Sequence, residues 1–278
     1  MQWNTLSYHL SDKKGFPYAN EENLKLEYRG EPFIREISKK NKPDILCLEE
    51  IGNYENKFKN DIIDKLSIKY DVAFGKRSAP TLNINLGSLI GVNKDLFTME
   101  KFENVALEDE EGKPGGQNMI WAIISDKKSG NKFIIILVHL KAKEPFENIR
   151  IGQVNHLMKF IEQNFLRKYP IFILGDFNAE PNYTCIKNLF SNTNLNAKSL
   201  FDFNKLEFST IKLRDKMYKR IIDYIIFISK DKDNINNELN IKNAEKAKPE
   251  MDESIGLPND KFPSDHLLLK AEVDLIFC

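Results

Sequence analysis

Six short apolar runs, separated by turn residues, constrain the fold of this 278-residue chain more than any other feature. The runs are rich in β-branched residues and only four to eight residues long, which is typical of buried strands. Apolar residues at helical spacing lie between them, at 31–40 and 147–167. Strands covered by strands on one face and by helices on the other predict a layered α/β sandwich. The six runs are 45–48, 89–92, 120–124, 133–138, 171–174 and 221–228.

No internal repeat and no Pro-, Gly- or Ser-rich linker divides the sequence, so we predict one domain over residues 1–278. The Asn- and Lys-rich stretch 231–250 is predicted to be a surface loop. No apolar run approaches the roughly 20 residues of a membrane helix, and the start resembles neither a signal nor a transit peptide. We therefore expect a cytoplasmic monomer without a membrane partner, and whether a leader precedes residue 1 stays open.

The charges of the chain cancel, with 41 basic and 41 acidic side chains. Proteins that bind long nucleic acids usually carry a clear basic excess. The balance therefore argues against a long polyanion as the partner, and it leaves local basic patches open. Three scattered cysteines, without a CxxC pair, give no disulfide framework and no structural zinc site.

Polar residues stand where several of the apolar runs end or are interrupted, and this pattern carries the chemical information. Burying a carboxylate costs free energy unless the group is paired or coordinated. Strand ends that meet at one sheet edge would bring these residues together although they lie far apart in sequence. The residues are Glu50, His139, Asp176, Asn178, Asp223, Asp265 and His266.

Each of these residues also has an ordinary structural explanation. Asp176 and Asn178 are residue types that satisfy the backbone of a turn, and His139 fits a core histidine. Asp223 has Arg220 nearby as a pairing partner. Five separate segments with one chemistry are nevertheless poorly explained by coincidence. The sequence therefore predicts one site for a metal ion and a phosphate.

The chain resembles the exonuclease–endonuclease–phosphatase superfamily from residue 1 to its C-terminus. The resemblance implies a four-layer α/β/β/α sandwich of two facing mixed sheets flanked by helices, with the site at one edge of the sheets. It rests on six motifs in the order and approximate spacing of that family: Trp3-Asn4, LCLEE at 46–50, HLKA at 139–142, GDFNAEP at 175–181, IDY at 222–224 and SDH at 264–266.

Within the superfamily the chain is most similar to the deadenylase branch and, in it, to the nocturnins. This similarity includes 139–153 and 208–214. Two positions depart from the pattern, because Glu49 replaces a usual Gln and Ile211 replaces a Trp near the base pocket. The sequence has no leucine-rich repeats, so we expect no platform for joining a large deadenylase complex.

The resemblance assigns roles that metal and phosphate chemistry support. Glu50 is expected to bind Mg²⁺, with Mn²⁺ as a substitute, since such hard cations prefer carboxylate oxygen. Asn4 is expected to hold that carboxylate or a metal-bound water. Asp176 is expected to orient and deprotonate the attacking water, and Asn178 to donate to a phosphoryl oxygen.

Two histidines are expected to donate to the phosphoryl group as charged imidazoles, namely His139 and His266. A carboxylate from Asp223 or Asp265, the sequence leaving both open, is expected to raise the pKa of His266. The expected substrate contacts are Lys141, Lys143, Arg220, Lys212 and Asn118.

The resemblance implies an adenosine-containing phosphate as the substrate. One candidate is the 2′-phosphate of NADP(H), which would be hydrolysed to NAD(H) and phosphate. The other is the 3′ end of poly(A) RNA, which a 3′-exoribonuclease would shorten to nucleoside monophosphates. The neutral charge and the lack of repeats favour NADP(H). A catalytically inactive binding module on the same scaffold is a third hypothesis, which the complete set of polar positions disfavours.

Overall fold

A computed structural model describes residues 1–53, 57–77, 85–230 and 238–277. The strands in these ranges are β1 (Gln2–Asn4), β2 (Ile45–Asn53), β3 (Tyr70–Lys76), β4 (Asn85–Asn93), β5 (Phe97–Glu108), β6 (Pro114–Asp126), β7 (Lys132–His139), β8 (Ile171–Asp176), β9 (Lys198–Ser199), β10 (Thr210–Leu213), β11 (Met217–Arg220), β12 (Asp223–Ile228), β13 (Leu239–Lys246) and β14 (Leu269–Leu275). The helices are α1 (Glu21–Leu24), α2 (Leu26–Ile34), α3 (Lys57–Ser67), α4 (Glu147–Asn164), α5 (Thr184–Ser191) and α6 (Phe203–Leu206).

The strands form two six-stranded sheets and one separate hairpin. The first sheet has the order β13-β14-β1-β2-β4-β3, and the second has the order β5-β6-β7-β8-β12-β9. Both sheets are mixed, because β1 is parallel to β2 and β7 is parallel to β8 while their other pairings are antiparallel. The hairpin consists of β10 and β11.

Alternation along the strands distributes apolar side chains to both faces of each sheet. In β2, Cys47 joins the core between the two sheets, while Leu46 packs with Phe33 of α2 on the outer face. On the outer face of the second sheet, Ile134 packs with Leu157 of α4. The layers are therefore α/β/β/α, and the predicted fold class is confirmed.

Two local predictions were wrong. Residues 239–246, predicted as loop, form the edge strand β13, which pairs with β14 along its length. An edge strand with a solvent-facing side tolerates the Asn and Lys residues that suggested a loop, and residues 231–237 lie outside the described ranges. The helix predicted from Glu31 begins at Leu26, which places Pro32 inside it, and it continues as a π-helical segment over Arg35–Asn41.

Among the described residues, no helix is both long enough and apolar enough to cross a membrane.

Candidate active site

Most of the predicted site residues lie together at one edge of the two facing sheets. In the first sheet, Asn4 at the end of β1 is opposite Glu49 of β2. In the second sheet, His139 at the end of β7 is opposite Asp176, and Asp176 is opposite Asp223 at the start of β12. Because the sheets face each other, these strand ends form a single polar cluster.

A β-bulge aims Glu50 into this cluster. The pairing of β2 with β4 shifts register between Leu48 and Ile51, and Glu50 has a positive φ of 57°. Such a bulge bends the strand and redirects its side chain. The Glu50 carboxylate then accepts hydrogen bonds from Asn4 Nδ2 at 3.1 Å and from the Ser7 N–H at 2.6 Å.

Asp176 reaches the same cluster from the second sheet because Gly175 lets β8 approach β7 closely. A Cβ atom on Gly175, whose φ is +141°, would lie 1.9 Å from the carbonyl oxygen of Val138. Asp176 Oδ2 accepts from Asn4 Nδ2 at 3.0 Å. Asn4 therefore bridges Glu50 and Asp176, one carboxylate from each sheet.

Asn178 fixes the turn that follows Asp176. Its N–H donates to Asp176 Oδ1 at 2.8 Å, and its Nδ2 donates to the carbonyl oxygen of Leu140 at 3.1 Å. Its φ is +49°, a left-handed conformation that asparagine tolerates better than most residues. Its predicted donation to a phosphoryl oxygen stays a prediction.

Burial shapes the acidity of Asp176. It raises the pKa of Asp176 to about 7, against an opposing attraction from His266. The neighbouring charges of Asp223 and Glu50 raise that pKa further, while the Asn178 N–H lowers it. A carboxylate with such a pKa is suited to accept a proton near neutral pH.

His266 pairs with Asp223 and not with Asp265. Its Nδ1 lies 3.1 and 3.0 Å from the two oxygens of Asp223, and its Nε2 lies 3.8 Å from Asp176 Oδ2. Burial alone would lower the pKa of His266, but Asp223, followed by Asp176 and Asp265, raises it well above its usual value. This shift favours the charged form of His266, whose donation to the phosphoryl group stays a prediction.

The carboxylate of Asp265 faces Lys212 instead, with 3.6 Å between Oδ2 and Nζ. Its carbonyl oxygen accepts from the Ile211 N–H and the Thr210 hydroxyl at 2.8 and 2.9 Å. Asp265 thus contacts the β10–β11 hairpin while Asp223 lies beside the imidazole, and a catalytic role of Asp265 stays a prediction.

His139 lies between the two carboxylates, with Nε2 3.7 Å from Glu50 Oε1 and 3.8 Å from Asp176 Oδ2. Burial lowers the pKa of His139 to about 4; Glu50 opposes this shift, and Arg77 and His266 reinforce it. This shift disfavours the charged form of His139, and its donation to the phosphoryl group stays a prediction. At neutral pH the ring is neutral and offers one N–H donor.

Glu49, whose identity departs from the family pattern, is fully buried behind the site. Its carboxyl group accepts from Gln2 Nε2 at 3.1 and 3.2 Å and from the Asp176 N–H at 3.1 Å. Burial, followed by the charge of Asp223, raises the pKa of Glu49 well above its usual value. The raised pKa favours the protonated form of Glu49, which has both a donor and an acceptor, as a glutamine side chain does.

The loop after β7 carries the predicted contacts Lys141 and Lys143. Arg150 of α4 is fully buried and donates to the carbonyl oxygens of both residues at 2.8 and 2.7 Å. Gln153 Oε1 accepts from the Lys141 N–H at 3.0 Å. Burial, with Arg77 and Lys143 nearby, lowers the pKa of Lys141.

The remaining predicted contacts are engaged within the protein. Arg220 Nε lies 3.0 Å from Glu180 Oε1. The Asn118 amide donates to Asn104 and, at 3.4 Å, to the carbonyl oxygen of Lys76. Arg220 thus lies beside the loop of the GDFNAEP motif, and the substrate contacts of Arg220 and Asn118 stay predictions.

Arg77 is a site residue that the sequence reasoning missed. Its Nε donates to the carbonyl oxygen of Gly116 at 2.7 Å, and its charge acts on Glu50, His139 and Lys141. Burial lowers its pKa, and Glu50 partly offsets this shift. The available signal was its position directly after β3, since the other site residues also follow strand ends.

The donor set fits a divalent cation near Glu50. Several carboxyl groups are buried together, and the nearest ligand atoms of Asp176, Asp223 and His266 lie within 4.8 Å of one another. Among the described residues the buried hydroxyl of Ser7, whose N–H contacts Glu50, has no hydrogen-bond partner. Clustered carboxylates and an unused oxygen are the donors that hard cations prefer. Because Asp223 and His266 are hydrogen-bonded to each other, Glu50 is favoured as the ligand of the cation.

Comparisons with known proteins agree with this architecture. Human nocturnin is 30% identical over 287 residues, which covers 98% of this chain and 64% of nocturnin. The probable Ccr4 exoribonuclease subunit of the CCR4-Not complex from Vairimorpha ceranae is 26% identical over 314 residues, covering 98% of this chain and 63% of that protein. The chain thus spans slightly less than two thirds of these relatives. No protein-family model matches it.

Solved structures share the fold. The catalytic domain of human nocturnin with bound sulfate has a TM-score of 0.75 at 24% identity, covering 99% of this chain and 92% of that domain. ANGEL2, a 2′,3′-cyclic phosphatase solved with adenosine-2′,3′-vanadate, has a TM-score of 0.80 at 18% identity. The match covers 99% of this chain and 94% of the ANGEL2 chain. The two facing sheets and these similarities show that the chain is nocturnin-like in sequence and has the exonuclease–endonuclease–phosphatase fold.

Proposed function

We propose that the chain is a divalent-metal-dependent phosphoesterase that hydrolyses the 2′-phosphate of NADP(H) to NAD(H) and phosphate. The observation that carries the proposal is the bridge made by Asn4, which joins Glu50 and Asp176 beside the His266–Asp223 pair. In this proposal the grouped side chains serve as metal ligand, base and charged donor. These are the groups that phosphoester hydrolysis requires.

Glu50 would hold the metal, which we expect to be Mg²⁺ with Mn²⁺ as a substitute, and Asn4 would orient the carboxylate. When bound, such a cation polarises a phosphoryl oxygen and stabilises the leaving oxygen. Ser7 supports the same carboxylate through its N–H. Glu50 therefore approaches the cluster with both oxygens already oriented.

The other residues of the cluster act on the water and the phosphate. Asp176 would orient the attacking water and accept its proton. His266, held charged by Asp223, would donate to the phosphoryl group from Nε2, and His139 would donate as a neutral imidazole. Donors fixed before the reaction stabilise developing negative charge without reorganising, and each is typically worth about 3–4 kcal/mol.

Adenosine phosphates are the substrate class that several observations support. ANGEL2, which shares the fold, was solved with a vanadate on the 2′ and 3′ oxygens of adenosine. NADP(H) carries its third phosphate on the 2′ oxygen of an adenosine. The net charge of zero and the grouping of Lys141, Lys143 and Arg77 near the site favour a compact phosphate ligand.

The second candidate is 3′-exoribonuclease activity on poly(A), which the similarity to a Ccr4 exoribonuclease subunit favours. The two candidates differ in their expected response to salt. A protein that neutralises several backbone phosphates releases counterions and binds more weakly as salt rises. A pocket for one phosphate has a shallower dependence.

The test compares both substrates on one preparation. Purified protein is incubated with NADP⁺, NADPH or a 5′-labelled oligo(A), with Mg²⁺ or with EDTA, and Glu50→Gln serves as the matched inactive control. We expect release of phosphate and NAD(H), no cleavage of the pyrophosphate, and slower shortening of oligo(A). A metal-dependent oligo(A) ladder with intact NADP(H) would assign the chain to RNA. Inactivity on both would favour a binding module.

A further inference from the structure

The turn that follows β1 holds two residues of the candidate active site through consecutive backbone N–H groups. The Leu6 N–H donates to Asn4 Oδ1 at 3.0 Å. The Ser7 N–H donates to Glu50 Oε2 at 2.6 Å. Because the Oδ1 atom of Asn4 accepts from this turn, its Nδ2 atom faces the carboxylates of Glu50 and Asp176. The turn therefore sets the direction of both the amide of Asn4 and the carboxylate of Glu50.

The conformation of this turn needs support from outside it. Leu6 has a φ of +57°, in the left-handed region that glycine and asparagine adopt more readily than leucine does. The side chain of Leu6 packs in a small apolar cluster with Phe16, Ala19 and Leu24. Apolar contacts hold the turn in place, but they are not directional. Hydrogen bonds are needed to fix the directions of its N–H groups.

Arg29 of α2 supplies such hydrogen bonds. Its side chain is buried, and only 4% of the residue's surface is exposed. Its Nη2 atom donates to the carbonyl oxygen of Thr5 at 2.8 Å and to the carbonyl oxygen of Leu6. Burying a guanidinium costs free energy unless it is hydrogen-bonded, so Arg29 and the two carbonyl groups stabilise one another.

The two carbonyl groups belong to the same peptide units as the two N–H groups. The Thr5 carbonyl shares a peptide plane with the Leu6 N–H, and the Leu6 carbonyl shares the next plane with the Ser7 N–H. Both peptide bonds are trans, so the C=O and N–H groups point to opposite sides of each unit. Each unit is thus hydrogen-bonded to Arg29 at one end and to a site residue at the other. Linked hydrogen bonds polarise one another, so the charge of Arg29 strengthens both N–H donors.

We propose that Arg29 is a positioning residue of the active site. By holding the carbonyl groups of Thr5 and Leu6, it orients the N–H groups that direct Asn4 and Glu50. The inference rests on the proposed function for the role of Glu50 as the metal ligand. Removing a group that orients a metal ligand typically lowers metal affinity or activity by about 10- to 100-fold. Arg29 should therefore affect the binding of the cation far more than the binding of the substrate.

Calorimetric titration of Mn²⁺ into the metal-free protein, without substrate, tests this role. We expect Arg29→Met, which removes every donor of the side chain, to weaken Mn²⁺ binding by about 10-fold. Arg29→Lys keeps the charge but loses the planar fork, so its affinity should lie between those of Arg29→Met and the wild type. Arg35→Met and Arg35→Lys are the matched controls, because Arg35 directly follows α2 and donates to the carbonyl oxygen of Lys261 at 3.0 Å. Both controls should bind Mn²⁺ as the wild type does.

Thermal unfolding of the metal-free variants shows which of them fold. If Arg29→Met does not fold, the comparison of Arg29→Lys with Arg35→Lys decides. Equal Mn²⁺ affinities in the Arg29 and Arg35 variants would overturn the proposal.

A kinetic measurement separates positioning from a general loss of structure. In Arg29→Lys, the Mg²⁺ concentration that gives half-maximal hydrolysis of NADP⁺ should rise, while the KM for NADP⁺ at saturating Mg²⁺ should keep its wild-type value. An equal rise in both quantities would contradict a positioning role. Weaker Mn²⁺ binding by the Arg29 variants of a protein that does not hydrolyse NADP(H) would refute the proposed function alone. Absence of Mn²⁺ binding by the wild-type protein would refute both proposals.

Discussion

The imidazole of His266 and the carboxylate of Asp223 form a buried pair, with Nδ1 3.0 and 3.1 Å from the two carboxylate oxygens. The pair leaves Nε2 directed at Asp176, 3.8 Å away. Asp223 is itself held by the Ser209 hydroxyl at 2.7 Å and by Gln2 at 3.0 Å. The imidazole is thus fixed in orientation and in its charged form.

Asp223→Asn should therefore lower kcat by about 10²-fold or more, because a positioned donor loses its charge. The variant should also change the pH profile. A charged donor is lost as pH rises through its pKa, and removing Asp223 lowers the pKa of His266, so activity should fall at a lower pH than in the wild type. Asp265→Asn is the matched control and should have a much smaller effect. If the alkaline limb of the pH–activity profile is at the same pH in Asp223→Asn and in the wild type, the assignment of Asp223 as the partner of His266 is contradicted.

Glu50→Gln should abolish hydrolysis while leaving the fold intact, because the amide removes the negative charge that the metal requires. EDTA should inactivate the wild-type protein, with recovery on addition of Mg²⁺ or Mn²⁺. Titration of Mn²⁺ by calorimetry gives a readout independent of turnover. The variant should bind Mn²⁺ at least about 10-fold more weakly, which is the lower end of the affinity loss seen when a metal site is disturbed. Equal Mn²⁺ affinity in both proteins would remove Glu50 as the ligand.

Glu49→Gln should stabilise the protein at neutral pH. The pKa of Glu49 is raised in the folded state, so the unfolded chain ionises first as pH rises. Stability is then lost from the unfolded pKa up to the folded pKa, by about 1.4 kcal/mol per pH unit for one group. Glutamine has no such loss. Thermal unfolding of both proteins should coincide near pH 4 and diverge above it, and a gap that does not grow with pH would contradict the assignment.

Arg150→Lys should raise the KM for the phosphate substrate by about 10-fold, which corresponds to a loss of roughly 1.4 kcal/mol of binding free energy. Arg150 holds the carbonyl oxygens of Lys141 and Lys143 together, and a lysine cannot reproduce two donors in one plane. Turnover should change less, since the loop contributes binding. Arg167→Lys, at an arginine that donates to the carbonyl oxygen of Asn194 at 2.9 Å, is the matched control. Equal KM values in the two variants would exclude this role of Arg150.

The sequence allowed the layers and most of the cluster to be predicted because both follow from short apolar runs. A buried strand is readable from its composition, and a carboxylate at its end has few ways to be satisfied. Glu50, Asp176 and Asp223 were found by this reasoning. Their convergence also required that the polar strand ends of both sheets lie at the same edge, which the resemblance supplied and the runs alone did not.

The remaining features depend on tertiary contacts that no local pattern encodes. Asp223 and Asp265 were equivalent candidates in sequence, and only the start of β12 beside β8 distinguishes them. The low pKa of His139 follows from burial and from Arg77, which lies about 60 positions away in the chain. The strand β13 exists because β14 offers an edge, although its own composition suggests a loop.

The contact of Asn4 with Asp176 joins two sheets whose separation is set elsewhere. Residues such as Ala122, Ile90 and Leu137 fill the apolar layer between them. That layer acts as a spacer whose thickness determines whether two halves of a catalytic centre meet. A larger side chain at Ala122 would therefore impair the chemistry by wedging the halves apart, without altering any polar residue that takes part in it.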